Sequence, residues 1–224
     1  MNFKEAMSAR HTVRKYKDLP LSKEVIEQLN DRVNTNNEQL GINISLVTDN
    51  TEGIPGIVKL VMAKNVKNYF ILAGPDAPET EEKLGYASAD LMLYAQTLGL
   101  NTWWIGGMFS RSNVKKNAVK TGQEKIIGIV VVGYGENQGK PHKSKTAAEI
   151  SRYDGEAPDW FKAGVEAVLL APTAINRQAF KISGKGNQVS MTYKEGAFSR
   201  ADLGIGKYHF ELGAGRETFE WGNE

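Results

Sequence analysis

The chain has no cysteine among its 224 residues and only three histidines, His11, His142 and His209. The first absence excludes a disulfide framework, a thiolate metal site and a cysteine nucleophile together. The histidines are not spaced as helical metal ligands, so no metal site is expected. Prolines number only seven and no low-complexity tract occurs, which argues against a disordered chain. No apolar run approaches the ~20 residues of a membrane-spanning helix. The stretch MNFKEAMSARHTVRKY carries charge throughout and has no apolar signal-peptide core, so a soluble, cytoplasmic protein without a membrane partner is expected. Nor is there an excess of charge: 28 basic residues face 26 acidic ones, and a nucleic-acid partner, which would need a local basic patch, is not expected. What is present is a globular composition, 41% hydrophobic and 24% charged, long enough to bury a core as one large domain or two small ones.

Hydrophobic periodicity orders the chain into helices and strands. Residues 2–8 read as a helix, followed by the extended connection RHTVRKYKDLPLS. Ser22 with Glu24 starts a second helix through Val25, Ile26, Leu29 and Val33, which NTNNEQLG is expected to end as a polar turn. INISLV and VKNYFILAG alternate as strands. Residues 79–98 carry Leu84, Ala87, Leu91, Tyr94, Ala95 and Leu98 at helical spacing, with Gly99 at the C-cap. NTWWIGGMF reads as a turn out of that helix, RSNVKKNAVK as a short helix, and EKIIGIVVVGYGE as a strand whose unbroken apolar run suits a central, doubly covered position. WFKAGVEAVLL is a further helix, AFKIS and QVSMTY are short strands, and ADLGIGKYHFELGA is a last helix.

The order helix, polar Asn/Gln segment, strand occurs at 22–47 and again at 158–183. Each instance is followed by a helix that begins near an aspartate and ends in Leu-Gly, DLMLYAQTLG at 90 and DLGIGKYHFELG at 202. The expected architecture is α+β, one unit of 224 residues in two halves, 1–140 and 141–224, around a shared core.

Four segments carry candidate chemistry. In RHTVR an extended backbone projects Arg10, Thr12 and Arg14 to one side, two planar guanidinium groups and a hydroxyl that can hold a phosphate; two solvated surface arginines are the alternative. In KPHKSK, Lys143 and Lys145 offer a second anion contact or a solvated face. In WWIGG, Gly106 and Gly107 let backbone N–H groups approach a flat ligand, or make a tight turn beneath two tryptophans. In APTAINRQ, amides with donor and acceptor faces either read a heterocycle edge or cap the preceding helix. GYGENQG places its glycines at 133, 135 and 139, which is not the dinucleotide GxGxxG spacing. His209 falls inside a helix pattern and reads as a packed histidine, and neither a Ser-His-Asp order nor a GxSxG elbow is present.

Taken together, RHTVRKY, the Gly-terminated helix leading into NTWWIGGMF, GKPHKSK and APTAINRQAF resemble the FMN-dependent nitroreductase family. The resemblance is closest to a divergent branch with a late APTAxNxQ segment and a DLGIGxxHFELGA-like helix. It implies a mixed or antiparallel central sheet flanked by helices. It also implies a flavin oxidoreductase taking hydride from NAD(P)H and passing it to a nitroaromatic, quinone or similar small acceptor, without a side-chain nucleophile. A flavin-binding protein without turnover, or a binder of another anionic small molecule, are the alternatives on the same scaffold. By position the resemblance assigns the FMN phosphate and ribityl chain to Arg10, His11, Thr12 and Arg14, completed by Lys143 and Lys145. It assigns the reactive edge of the ring to Ile105, Gly106 and Gly107, and contacts with the ring and ribityl group to Pro172, Thr173, Asn176 and Gln178. In most members the Asn/Gln segment follows the first helix and sites form across a dimer. Here that slot holds NTNNEQLG, so the chain is expected to be a pseudo-dimer with one FMN, as a monomer or a homodimer.

Overall fold

The computed structural model describes residues 1–118 and 124–222. Helix α1 (Phe3–Ala9) is closed at its start by a reciprocal capping box between Asn2 and Glu5. Helix α2 (Lys23–Leu40) starts where Ser22 accepts from Val25 N, and ends at Gly41, whose φ of 64° is the left-handed C-cap.

The segment NTNNEQLG is not a turn: α2 runs through it to Leu40. Asparagine and threonine favour helix weakly, but tertiary contacts occupy the asparagine amides. Asn36 donates to Asp90, and the Asn37 amide brackets the Ile44 backbone with two hydrogen bonds of 2.8 Å.

The first sheet contains β1 (Ser45–Val47), β2 (Tyr69–Pro75), β3 (Asn101–Ile105) and β4 (Glu124–Gly133) in the antiparallel order β1-β2-β4-β3. NTWWI is therefore an edge strand rather than a turn. Its pairing of Trp104 with Val130 supplies the ladder that the local sequence did not advertise. β4 is interior and covered on both faces. Phe70, Leu72, Val130 and Val132 point into one cluster, and Tyr69, Ile71, Ile129 and Val131 into another with Trp103, Val13 and Tyr16. Helix α3 (Gly56–Val61) precedes β2, and α5 (Arg111–Asn117) follows β3. Val119 and Lys120, the end of the helix expected from RSNVKKNAVK, lie outside the described residues.

The second sheet holds β5 (Ser151–Tyr153), β6 (Phe180–Lys185), β7 (Gln188–Tyr193) and β8 (Glu220–Trp221) in that order. It is mixed: β5 with β6 and β7 with β8 are parallel, while β6 and β7 form an antiparallel hairpin. Phe180, Ile182, Val189 and Met191 alternate onto α7 (Asp159–Leu169) and α8 (Ser199–Ala214), which follow the short helix α6 (Ala147–Ile150).

Between the sheets lie α8 and α4 (Thr80–Thr97), the latter apolar around nearly its whole girth. They approach at two glycines in a reciprocal contact. A Cβ on Gly85 would stand 2.1 Å from the Ala201 carbonyl oxygen, and one on Gly204 1.9 Å from that of Glu82. Only glycine permits backbones this close.

Candidate functional site: a basic and aromatic cavity beside the paired helices

RHTVR leaves α1 in an extended conformation and runs alongside β3, with Val13 N donating to Thr102 O at 3.1 Å. Val13 turns into the core, which directs its neighbours to the opposite side. Arg10, Thr12 and Arg14 consequently line a cavity of about 500 Å³ together with His11. Trp103, Trp104, Ile105, Gly106 and Gly107 form a second wall, and Pro172, Thr173 and Asn176 a third. Ten of the thirteen residues expected to bind a cofactor thus meet in one space, although their segments lie some 160 residues apart in sequence.

Lys143, Lys145 and Gln178 do not line it. Lys145 Nζ donates to Gln178 O, and Lys145 N to Gln178 Oε1, both at 2.9 Å. Asn176 and Gln178 both donate to Lys143 O. These groups stitch the 143–145 strip to the 172–178 segment, so the amides of APTAINRQ serve first as structural ties. Lys140 and His142 face the cavity instead. His142 Nε2 lies 3.0 Å from Leu169 O, where with Ser144 Oγ it satisfies a carbonyl at the end of α7. The loop has no helical or strand period from which this choice of basic side chains could have been read.

The 172–178 wall is held in unusual backbone. Ile175, Asn176 and Gln178 have φ values of 46°, 56° and 45°, a region that non-glycine residues rarely occupy. Phe198, immediately before α8, has φ 63°. Its ring stands edge-on to Trp104 and fills the space where a Cβ on Gly106 would fall, 2.2 Å away. The glycine at 106 is thereby explained by Phe198; Gly107 has open space beside it.

Charge is distributed unevenly. Arg10 is 4% exposed, its Nε has no partner, and no ion pair to it occurs among the described residues. Burial lowers its pKa to about 10. Burial also lowers His11, helped by the charge of Arg10 and by His142. Near them, His209 is buried with Nδ1 2.8 Å from Ile205 O, and burial brings it down to about 4. The acid in the cavity wall is Asp202 on α8, 3% exposed. Burial pushes it up to about 6, against the Ala174 N–H that its two oxygens accept at 3.0 and 3.2 Å.

Arg10, His11, Arg14, Lys140 and His142 thus line the same cavity as the apolar Met92, Trp103, Trp104, Phe198 and Ile205. The arrangement suits a ligand with an anionic group and a planar aromatic body. Sequence reasoning missed Trp104, Phe198, Asp202, Lys140 and His142 as wall residues. Trp104, Lys140 and His142 fall inside the WWIGG and KPHKSK segments without being picked out individually, and the aspartate was marked only as the start of DLGIGKYHFELG. Among the described residues no His/Asp/Glu cluster suits a metal ion, and no helix is long and apolar enough to cross a membrane.

Residues 2–214 match the family described as "Putative TM nitroreductase". Among solved structures, one from Thermotoga maritima MSB8, described as a "putative nitroreductase", is similar at 21% identity with a TM-score of 0.66, covering 97% of this chain and 85% of that one. A "putative nitroreductase in complex with FMN" from Exiguobacterium sibiricum 255-15 is similar at 15% identity and a TM-score of 0.53, over 66% of this chain and 95% of that one. A "Putative NADH dehydrogenase/NAD(P)H nitroreductase" from Parabacteroides distasonis ATCC 8503 follows at 21% identity and 0.52, over 67% and 97% of the two chains. No curated protein matches.

Proposed function

The chain belongs to this nitroreductase family, and from that premise we propose that its cavity holds FMN and that the protein is an NAD(P)H-dependent oxidoreductase of the cytoplasm. The observation that carries the reading is Arg10: a buried guanidinium without an acidic partner, opening on a cavity walled by two tryptophans. A buried charge of this kind is costly unless a ligand neutralises it.

The residues present fit the group. Arg10, Thr12, Arg14 and Lys140 would hold the phosphate, with His11 and His142 beside it. Trp103, Trp104 and Phe198 would flank the ring and exclude water from it. Pro172, Thr173 and Asn176 would close the third side, in a segment whose backbone is already fixed by its ties to 143–145. Bound FMN supplies the two-electron chemistry itself, taking hydride from a reduced nicotinamide and passing it to a nitroaromatic, quinone or similar acceptor. The protein's part is binding, orientation and a fixed positive field, and no side-chain nucleophile is required.

The two halves, 1–140 and 141–224, are proposed to act as a pseudo-dimer with one flavin per chain. The reciprocal glycine contact of α4 and α8 supports this reading. So does the fate of NTNNEQLG, whose Asn36 and Asn37 are engaged inside the fold and free to contact no ligand.

Absorbance of the purified protein tests the cofactor, with about one flavin per chain expected. Bleaching by NADH or NADPH without oxygen tests turnover; a yellow protein that does not bleach would be a flavin binder only. Arg10→Ala and Lys140→Ala should each weaken FMN binding roughly 10- to 100-fold, the loss of one charge-assisted hydrogen bond of about 1 to 3 kcal/mol. Lys143→Ala should leave it unchanged.

A further inference from the structure

The cavity has an acidic wall residue that the phosphate reading does not use. Asp202 lies in the first turns of α8, is 3% exposed and lines the same cavity as the basic residues. A carboxylate can accept about four hydrogen bonds. This one receives the single N–H of Ala174, shared between its two oxygens.

The groups around it do little to compensate its charge. From the 172–178 segment come Ala174 N–H and, more distantly, Arg177, whose guanidinium donates to Glu195 O. β7 contributes the phenol of Tyr193, which stands beside the carboxylate and favours its charged form, offsetting part of the effect of burial. The walls contributed by α4 and β3 bring Met92 and Trp104; Arg10, His11, Lys140 and His142 line the cavity too, and the only cation that acts appreciably on the carboxylate is Arg177. No ion pair to Asp202 occurs among the described residues.

We propose that Asp202 is a ligand-binding residue whose ionised carboxylate accepts an N–H or O–H of the bound molecule, while its bond to Ala174 holds the third wall in place. The site then reads two features at once, an anionic group that Arg10 can pair and a hydrogen-bond donor that Asp202 can accept, and a second anion placed against the buried carboxylate would be rejected. The reading rests on the cavity being the FMN site.

Proton linkage follows from the same geometry. Burial raises the carboxylate to about 6, and protonation removes the acceptor the ligand needs. Binding should therefore weaken as pH falls through about 6 and be strongest above it.

Flavin fluorescence titrations of the apoprotein between pH 5 and 8 test this, with FMN and with riboflavin, which lacks the phosphate and its own titration. Wild type should lose about tenfold in affinity for both between pH 7.5 and pH 5. Asp202→Asn, equal in size and still able to accept from Ala174, should bind about tenfold more weakly than wild type at pH 7.5 and equally at pH 5. If Asp202→Asn binds both flavins as wild type does across the range, the inference is overturned while the flavin site stands. If wild type binds neither flavin at any pH, the proposed cofactor falls and this inference with it. Circular dichroism of Asp202→Asn separates a folding defect from a binding one, and Asp202→Glu, which keeps the charge, should retain the pH dependence.

Discussion

Two aspartates stand on the paired helices, one in each half of the chain, and their surroundings differ sharply. Asp90 on α4 is 3% exposed and satisfied: Arg32 donates to both of its oxygens, Asn36 to Oδ2 at 2.7 Å and Tyr208 to Oδ1 at 2.7 Å. Asp202 on α8 is equally buried, accepts one backbone N–H, has only the Tyr193 phenol beside it as a further donor and meets no cation in an ion pair among the described residues. The first arrangement ties α2, α4 and α8 together; the second lines the cavity shared with Arg10. A buried charge with a full set of partners is a structural joint, whereas one left short of partners beside a cavity is poised for something that arrives later.

The largest effect is expected where the joint is broken from the cationic side. Arg32→Ala leaves Asp90 buried with only Asn36 and Tyr208, and removes the guanidinium that lies over the Phe3 and Tyr94 rings. Because the Arg32 side chain is 35% exposed, the lower part of the range for a broken buried pair applies, about 3 kcal/mol. Chemical denaturation at pH 7 should show the midpoint fall with an unchanged slope. A loss below 1 kcal/mol would mean that Asp90 is not the joint described.

Next come the glycines, where the helices should behave alike. Gly85→Ala and Gly204→Ala each place a methyl within 2.1 Å of a carbonyl oxygen on the facing helix, and each should destabilise by about 2 to 3 kcal/mol, the cost of overpacking against backbone that cannot rotate away. Equal losses would support equivalent roles for α4 and α8 in a pseudo-dimer; a tolerant Gly204 beside an intolerant Gly85 would count against it.

The opposite sign is expected at Asp202. Its folded pKa, about 6, lies above the ordinary 3.8, so the folded state binds the extra proton between those values and this group's contribution to stability falls as pH rises through that window. At pH 7 the charge stays buried at a cost, and Asp202→Asn should stabilise the apoprotein by about 1 to 2 kcal/mol after allowing for a weaker acceptor to Ala174. Below pH 4 the gain should vanish. His209 works the other way. Its folded value of about 4 lies below 6.5, so stability is lost as pH falls from 6.5 toward 4. The two slopes nearly cancel in wild type between pH 4 and 6, and thermal scans of Asp202→Asn should uncover the histidine's acid sensitivity.

The same contrast shows what the sequence could and could not display. Period-3.6 spacing revealed α4, an unbroken β-branched run revealed the interior strand β4, and alternation placed Arg10, Thr12 and Arg14 on one side; in each case local pattern and tertiary role agree. NTNNEQL and NTWWI were misread because their state is decided by distant partners, Asp90 and Ile44 for the first and β4 for the second. Lys143 and Lys145 were favoured over Lys140 and His142 because a coil carries no period to choose between them. Asp90 and Asp202 begin similar segments, and nothing local distinguishes the one that meets an arginine from the one that does not.

The smallest test is Tyr208→Phe, which removes one of Asp90's donors and nothing else of size. Tyr208 reaches across from α8 to Asp90 while its ring stands edge-on to Tyr86 at 5.0 Å, so the ring contact survives the change. With Arg32 and Asn36 still in place, the carboxylate keeps its charge compensation and loses one hydrogen bond, about 1 kcal/mol, which in a chain of this length lowers the melting temperature by about 2 to 4 °C. The shift should disappear in the Asp90→Asn background if the phenol acts through the charge, since a neutral acceptor gains less from each donor. If the same 2 to 4 °C is lost in both backgrounds, Tyr208 contributes through packing, and the satisfaction of Asp90 is carried by Arg32 and Asn36 alone.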